Sequence, residues 1–453
     1  MIRVLELADR FVWGFPALLL ILGIGLYFSL RTGFAQIRFL PMAFRAFFAK
    51  LRYKKAGDGV VSPFQALCTA LAATVGTGNI AGVAGAIAIG GPGALFWMWI
   101  CAVLGMVIKA AEATLSVRFR QRNAGGDYVG GPMYMIQNGM HGRWHFLATV
   151  YCFFGVIAAF GVGNATQINA VVTGVNQTIV SFGGKESLLG NLLIGILLAL
   201  LIASMLLGGM KRIGAIAERL IPFAAVCYVL LGVWVLLSRA SAVDDAFLAI
   251  IRGAFSPKAV TGGTVGSTLM TLRIGVSRGV FTNEAGMGTA GIAHAGADVT
   301  HPAQQGLMGI MEVFLDTIVI CTMTALVILV SGVSIPYGTD TGAALTTQAF
   351  STVCGEWVSA FIAAMLCCFA FATVLGWGLY GIRCAQFLFG AGVFRRFAVL
   401  QAITVVLGAV LKTQTVWLLS DTVNGLMVIP SLIALFSLRK EFFQLIKKTN
   451  LTE

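Results

Sequence analysis

The sequence predicts an all-α polytopic membrane protein of eleven transmembrane helices. Of its 453 residues, 58% are hydrophobic and only 11% are charged, against about 25% charged residues in a soluble domain. The mean hydropathy is +0.90. Apolar stretches of about twenty residues recur, the length a helix needs to cross a bilayer. The alternating segments of roughly ten residues that mark a transmembrane β-barrel are not visible.

The spans fall at about 11–30, 64–89, 93–117, 146–180, 189–208, 214–238, 266–295, 304–333, 356–390, 397–411 and 415–437. The first, Phe11 to Leu30, is long for a signal peptide, lacks a small-residue cleavage site and precedes a basic loop. It reads as a retained span. Phe34 to Lys55 interleaves Phe, Leu and Ala with Arg and Lys; too charged to span, it reads as an amphipathic helix on the cytoplasmic surface. Asp244 to Ile251 is a second such piece, expected against the outer face.

Lys and Arg outnumber Asp and Glu by 31 to 18. Their placement follows the positive-inside rule and does not suggest a nucleic-acid partner. Arg31 to Lys55, then Arg118, Arg120 and Arg122, then Lys211 and Arg212, then Arg395 and Arg396, then Arg439 to Lys448 mark one side. The alternate loops carry little beyond Lys185, Arg239, Arg252, Lys258 and Lys412. The N-terminus is therefore expected outside and the C-terminus in the cytoplasm. The nine cysteines lie mostly in apolar runs, where thiols act as small hydrophobes. No CxxC pair or histidine cluster suggests a metal site.

Two segments do not read as ordinary spans. Thr69 to Val83 places Gly76, Gly78 and Asn79 inside a hydrophobic stretch; Arg273 to Ala290 holds Gly275, Gly279, Gly286 and Gly288 with Arg278, Asn283 and Glu284. They start about two hundred residues apart, and each opens a run of five spans. Paired glycine interruptions point to an inverted repeat with broken helices. Unpaired backbone groups cost several kcal/mol in hydrocarbon, so an unwound stretch must line a cavity or hold a ligand. Free N–H groups suit a carboxylate, and free carbonyls suit an ammonium or Na⁺. Close helix packing is the plainer use of such glycines, and it suffices for Gly82 and Gly85.

At these segments the chain resembles the alanine or glycine:cation symporter family, over nearly its whole length. The resemblance rests on Arg31-Thr-Gly-Phe34, on residues 69–99 ending Gly-Gly-Pro-Gly-Ala-Leu-Phe-Trp-Met-Trp99, and on Gly130-Gly-Pro-Met133. Gly279-Val-Phe-Thr-Asn-Glu-Ala-Gly-Met-Gly288 and Phe371-Ala-Thr-Val-Leu-Gly-Trp377 complete it. It implies a LeuT-like 5+5 inverted repeat with two broken helices plus one extra N-terminal helix. The layout is then an extra helix at 1–33, an amphipathic helix and loop at 34–58, and a first five-helix repeat at 61–240. An extracellular-side connection at 241–265, a second repeat at 266–438 and a cytoplasmic tail at 439–453 follow.

The resemblance also implies roles. The N–H groups of Thr77 and Gly78 would cradle the substrate carboxylate, helped by the Asn79 amide. Carbonyls of Phe281, Thr282 and Glu284 would receive the ammonium. Gln167, polar and mid-span, would hydrogen-bond substrate, or else join two helices at about 0.6 kcal/mol. Thr373 and Trp377, one turn apart, share a face; Trp377 would fill the volume a large side chain needs, favouring alanine or glycine over leucine. A sodium site would use the carbonyls of Ala72, Val75 and Phe369 and the Thr373 hydroxyl. The chain departs from the family pattern at Ala372, where relatives often carry a second hydroxyl, and at Ile382, where many carry glutamate.

Glu112, Glu218, Arg219, Arg273, Arg278, Glu284, Glu312 and Asp316 interrupt apolar spans. An Arg or Asp at a helix centre costs about 2.5–3.5 kcal/mol, so these should face the interior and pair. Glu218 and Arg219 are expected at the cytoplasmic end, and Glu284 should shape its loop through backbone N–H bonds. Asp316 with Thr317 either completes a further cation site or forms a simple ion pair.

The expectation is a secondary symporter of a bacterial-type inner membrane that imports a small neutral amino acid, alanine or glycine, with Na⁺ by alternating access. Its partners are substrate, Na⁺ as coupling ion and membrane lipid; no other cofactor, nucleic acid or partner protein is implied. Serine or a D-amino acid as cargo, or H⁺ coupling, is the alternative; an ion channel is a remote one. No GxxxxGK[ST] run, HExxH or GxSxG motif supports an ATP-driven pump or an enzyme.

Overall fold

Helix ends follow local chemistry throughout the computed structural model, which describes residues 11–13, 16–50, 61–123, 125–339, 342–411 and 413–449. After helix α1 (Pro16–Thr32) the chain turns through Gly33 and Phe34, both at positive φ, into α2 (Leu40–Lys50). The expected amphipathic segment is thus helical up to Lys50, and its part at 51–58 lies outside the described residues. Ser62 and Gln65 form a reciprocal capping box that opens α3 (Pro63–Thr74), with proline at its first position. A short 3₁₀ turn, Thr77–Asn79, leads into α4 (Ala81–Gly90), which Gly91 stops at φ 75°. The axes of α3 and α4 differ by 57°.

Next come α5 (Ala94–Arg118), a two-stranded ladder of β1 (Gln121–Arg122) and β2 (Tyr128–Val129), and α6 (Pro132–Gly139). Helices α7 (Phe146–Phe160) and α8 (Thr166–Ser181) are joined through a π-helical stretch, Gly161–Ala165, into one long rod. Then follow α9 (Leu188–Leu206), α10 (Gly209–Ser238) and the amphipathic α11 (Val243–Phe255). The second interrupted helix is α12 (Thr268–Asn283) and α13 (Thr289–His294). Helices α14 (Pro302–Val313) and α15 (Thr322–Val330) flank a second π-helical stretch, Phe314–Cys321. The chain closes with α16 (Ala343–Cys354), α17 (Trp357–Phe389), α18 (Phe394–Val410), α19 (Thr413–Ser437) and α20 (Arg439–Thr449).

Nine helices among the described residues are long and apolar enough to cross a bilayer, and the bent pair α3/α4 makes a tenth. The eleventh expected span is α12/α13. It falls short on length and composition, because α12 carries Arg273 and Arg278 and α13 has only six residues. The tail expected at 439–453 is instead helical as far as Thr449. Leu438, Phe442, Leu445 and Ile446 are buried there, and Phe442 stacks on Phe28 at 5.6 Å between ring centroids. An exposed ion pair, Arg118–Glu441 at 2.7 Å, joins this helix to α5.

Helix α5 is the stem of the bundle, and glycines let its neighbours approach closely. A Cβ on Gly275 would lie 2.5 Å from the Ala94 carbonyl oxygen; one on Gly309 would lie 2.8 Å from that of Lys109. One on Gly291 would lie 2.2 Å from the Ser116 hydroxyl. The two interrupted helices also meet directly. Val61, just before α3, donates to the Gly296 carbonyl at 3.3 Å and accepts from the Asp298 N–H at 2.9 Å, beyond the end of α13. Arg120, just beyond the end of α5, fastens the same stretch, bonding the Ala295 and Ala297 carbonyls at 2.9 and 2.7 Å.

Candidate functional site

The first break arises because the amides that would continue α3 are drawn elsewhere. The Gly76 N–H donates to the Asn79 side-chain oxygen at 2.9 Å, the Thr77 N–H to Gln167 Oε1 at 3.2 Å, and the Asn79 N–H to the Gly76 carbonyl at 3.3 Å. The carbonyls of Ala72, Ala73 and Val75 therefore lose the amide four residues on that closes a helix. The Gly78 N–H makes no hydrogen bond among the described residues. Thr373, on α17, faces this gap: a Cβ on Gly76 would lie 2.6 Å from its hydroxyl oxygen. That oxygen is buried and has no hydrogen-bond partner among the described residues.

The second break is built on left-handed backbone. Glu284 sits at φ 54°, Gly286 at 93° and Gly288 at 77°. Gly288 admits no side chain, since a Cβ would fall 2.1 Å from Pro132 Cγ. The Ala285 N–H turns to the Asn283 side chain at 2.9 Å, and the Gly286 N–H goes to Glu112 Oε1 at 2.7 Å. The carbonyls of Phe281 and Thr282 thus receive no closing amide from α12's own continuation. The Glu284 carbonyl does accept one, from Met287 at 3.1 Å.

Two carboxylates exchange the roles expected of them. Glu284 takes no backbone N–H on its side chain; it accepts the Thr289 hydroxyl at 2.6 Å and the Trp377 indole N–H at 2.7 Å. Glu112 shapes the loop instead, accepting from Gly286 and from Gly288 at 3.1 Å. The reason is geometric: a left-handed residue at the end of α12 points its side chain away from the amides that follow it. Trp377 lies over Gly163 in the π-helical stretch, where a Cβ would fall 2.1 Å from its own Cβ.

The breaks face each other across Gly78, where a Cβ would lie 3.2 Å from the Phe281 ring and 3.4 Å from Thr282 Cγ2. A chain of side chains also links them. Asn79 donates to Asp316 Oδ1 at 2.6 Å, Thr317 to Asp316 Oδ2 at 2.8 Å, and Asn283 to the Thr317 hydroxyl at 3.1 Å. All four are 0% exposed. Asn79 is thereby committed at both ends of its amide and is not placed to help hold a carboxylate. Asp316 has amide and hydroxyl donors here rather than a simple ion pair. Gln167 joins two elements: Oε1 accepts the Thr77 N–H and hydroxyl, and Nε2 donates to the Val162 carbonyl at 3.1 Å.

The other buried charges find partners as expected, with one exception. Arg278 pairs with Asp421 at 3.2 Å, and Glu218 accepts from Gln65 at 2.8 Å. Arg219, by contrast, is exposed. Glu312 is gripped by Lys109 at 3.1 Å and His294 at 3.0 Å. Lys109 and His294 escaped sequence reasoning, although a lysine within an apolar span is the same signal that marks Glu112.

Comparison with known proteins then gives the chain its place. The sodium:alanine symporter family model matches residues 1–451. A transporter of Haemophilus influenzae is 44% identical over 98% of this chain and 96% of its own length. The sodium/alanine symporter AgcS of Methanococcus maripaludis is 42% identical over 96% and 94%. Among solved structures, that of MhsT in complex with L-phenylalanine superposes with a TM-score of 0.60 at 16% identity, over 87% of this chain and 99% of that one. This last likeness shows the fold alone, the LeuT-type architecture that the family resemblance implied. On the match along its whole length, the chain belongs to the sodium:alanine symporter family and is a membrane transporter.

Proposed function

We propose that this transporter imports a small neutral amino acid, alanine or glycine, together with Na⁺. The observation that carries the reading is the buried hydroxyl of Thr373, without a partner among the described residues, facing Gly76 in the turn where the carbonyls of Ala72 and Val75 lose their closing amides. With the Phe369 carbonyl from the same turn of α17, this is an all-oxygen set. Unwound carbonyls of this kind coordinate Na⁺ in broken-helix carriers.

The substrate reading rests on opposite helix ends. The Gly78 N–H, at the positive end of α4, suits a carboxylate. The carbonyls of Phe281 and Thr282, at the negative end of α12, suit an ammonium. A carboxylate also taking the Thr77 N–H would displace Gln167 Oε1, which leaves Gln167 to bond the substrate through its amide. Phe281 over Gly78 and Trp377 over Gly163 restrict the side chain to a small one. Asp316, held by Asn79 and Thr317, is the anionic candidate for a further cation site, reached if Na⁺ replaces one of those donors.

The cycle that follows is alternating access. Na⁺ stabilises the first break, substrate bridges both breaks, and the elements carrying them rock against the rest. By the positive-inside rule, the face bearing Arg118, Arg120, Arg212 and Arg439 is cytoplasmic, in a bacterial-type inner membrane with the N-terminus outside. The test is uptake of labelled L-alanine into proteoliposomes under an inward Na⁺ gradient, with choline replacing Na⁺ as control. Accumulation only with Na⁺ supports the reading, and competition by glycine, serine and D-alanine ranks the cargo. Uptake driven by a proton gradient in choline would replace the coupling ion. Currents without substrate would favour a channel.

A further inference from the structure

Lys109 stands alone among carboxylates. It is 0% exposed, and Glu112, Glu284, Glu312 and Asp316, each at most 1% exposed, all lie within its electrostatic reach. Its Nζ lies 3.1 Å from Glu312 Oε1, an ion pair off hydrogen-bond geometry, and has no hydrogen-bond partner among the described residues. Lys109 and Glu112 are three residues apart and share a helix face. Glu112 commits Oε1 to the second break, while its Oε2 is buried with no hydrogen-bond partner among the described residues.

The other basic group facing this cluster is His294. Gln305 Nε2 lies 2.6 Å from His294 Nδ1 and 3.4 Å from the Pro63 carbonyl. His294 Nε2 lies 3.0 Å from Glu312 Oε2, so the ring is engaged by Gln305 on one side and by Glu312 on the other. Asp316 is already held by Asn79 and Thr317. The phenols of Tyr151 and Tyr380, both buried, also face Glu112 and Glu284. Among the described residues Lys109 is thus the ammonium that faces Glu112 and Glu284, and it shares Glu312 with His294; burying a carboxylate without a cation is strongly unfavourable.

We infer that Lys109 is a resident countercharge for the second break, serving Glu112 and Glu284 as well as Glu312, so that this half of the site stays ionised without a transported cation. Lys109 is thus a positioning residue: it acts on the loop through Glu112, which binds the Gly286 and Gly288 amides. The sodium requirement is then confined to the first break and its neighbour Asp316. That consequence rests on the proposed function; the countercharge itself does not.

The test compares wild type with K109R, K109Q and K109Q/E312Q. Each is purified and melted between about pH 5.5 and 8, then assayed for Na⁺-driven L-alanine uptake. The double variant removes the Lys109–Glu312 pair together, so it isolates the other carboxylates. Its melting temperature should rise on acidification relative to wild type, because Glu112 and Glu284 take up protons where the ammonium stood. Its uptake should fall roughly tenfold near neutral pH and partly return in acid, while K109R stays within about twofold of wild type. A double variant with the wild-type dependence of melting on pH, or one unfolded at both ends of that range, overturns the inference. The melting arm needs no transport, so absence of alanine uptake by wild type would count against the proposed function alone.

Discussion

Replacing Gly76 with alanine tests the first break at its tightest point. The backbone there, at φ −138° and ψ −155°, accepts any residue, so the effect comes from contact alone. The added Cβ would sit 2.6 Å from the Thr373 hydroxyl oxygen and 3.1 Å from Gln167 Oε1. Reaching ordinary contact near 3.5 Å takes a shift of roughly 0.9 Å. Thr373 is buried and β-branched, hence stiff about χ1, and cannot absorb that shift while keeping its hydroxyl where it faces Gly76. Overpacking of this size costs about 1–3 kcal/mol. If that energy is taken from Na⁺ binding, half-saturation by Na⁺ rises by roughly 5- to 150-fold. The assay is Na⁺ activation of L-alanine uptake in proteoliposomes, for Gly76→Ala, Thr373→Ala and the double variant. Both single changes disable one ligand, so the double should be no worse than Thr373→Ala, a clear departure from additivity. Unchanged Na⁺ half-saturation in Gly76→Ala, or effects that multiply in the double, would refute the reasoning.

Three further outcomes are expected. Trp377→Ala removes the 2.7 Å donor to Glu284 and opens the space over Gly163, at about 3–5 kcal/mol of stability; leucine and methionine should then compete for uptake, and their failure to do so would discard the size filter. Gly78→Val places branched carbon on the Phe281 ring, 3.2 Å from the Cβ position. It should abolish uptake in a protein that still elutes and melts as folded; full transport would mean that substrate does not approach this turn. Arg118→Ala removes an ion pair whose side chains are 51% and 32% exposed, so the loss should be within about 0.5 kcal/mol; a large drop in melting temperature would show that α20 is anchored by that pair and not by Phe442.

The breaks were legible in the sequence because they use residues that contradict their surroundings. Gly76, Gly78 and Asn79 weaken a helix in hydrocarbon, and Gly286 and Gly288 do adopt the positive φ that only glycine takes easily. Ser62 three residues before Gln65 announces α3 in the same local way. What stayed hidden depends on pairing at a distance. Glu312 meets Lys109 and His294 from elements far apart in the chain, and no local pattern distinguishes Glu112 from Glu284 as the loop's anchor. The π-helical stretches at Gly161–Ala165 and Phe314–Cys321 leave no compositional mark, since they insert one residue into an otherwise helical pattern. Helix α20 is a different failure: Phe442, Leu445 and Ile446 recur at helical spacing, but the surrounding Arg and Lys residues made them read as part of a tail.

The bonds of Val61 to Gly296 and Asp298 tie the entrance of α3 to the exit of α13, and Gln305 adds a side-chain bond to the Pro63 carbonyl. Tilting either half-helix without the other would strip two backbone hydrogen bonds where Val61, Ala297 and Asp298 are buried, at about 1–3 kcal/mol for each group left unsatisfied. The two therefore work as a single lever with a common fulcrum. A carrier geared this way moves its two interrupted helices together, so the backbone itself resists opening one break while the other stays closed.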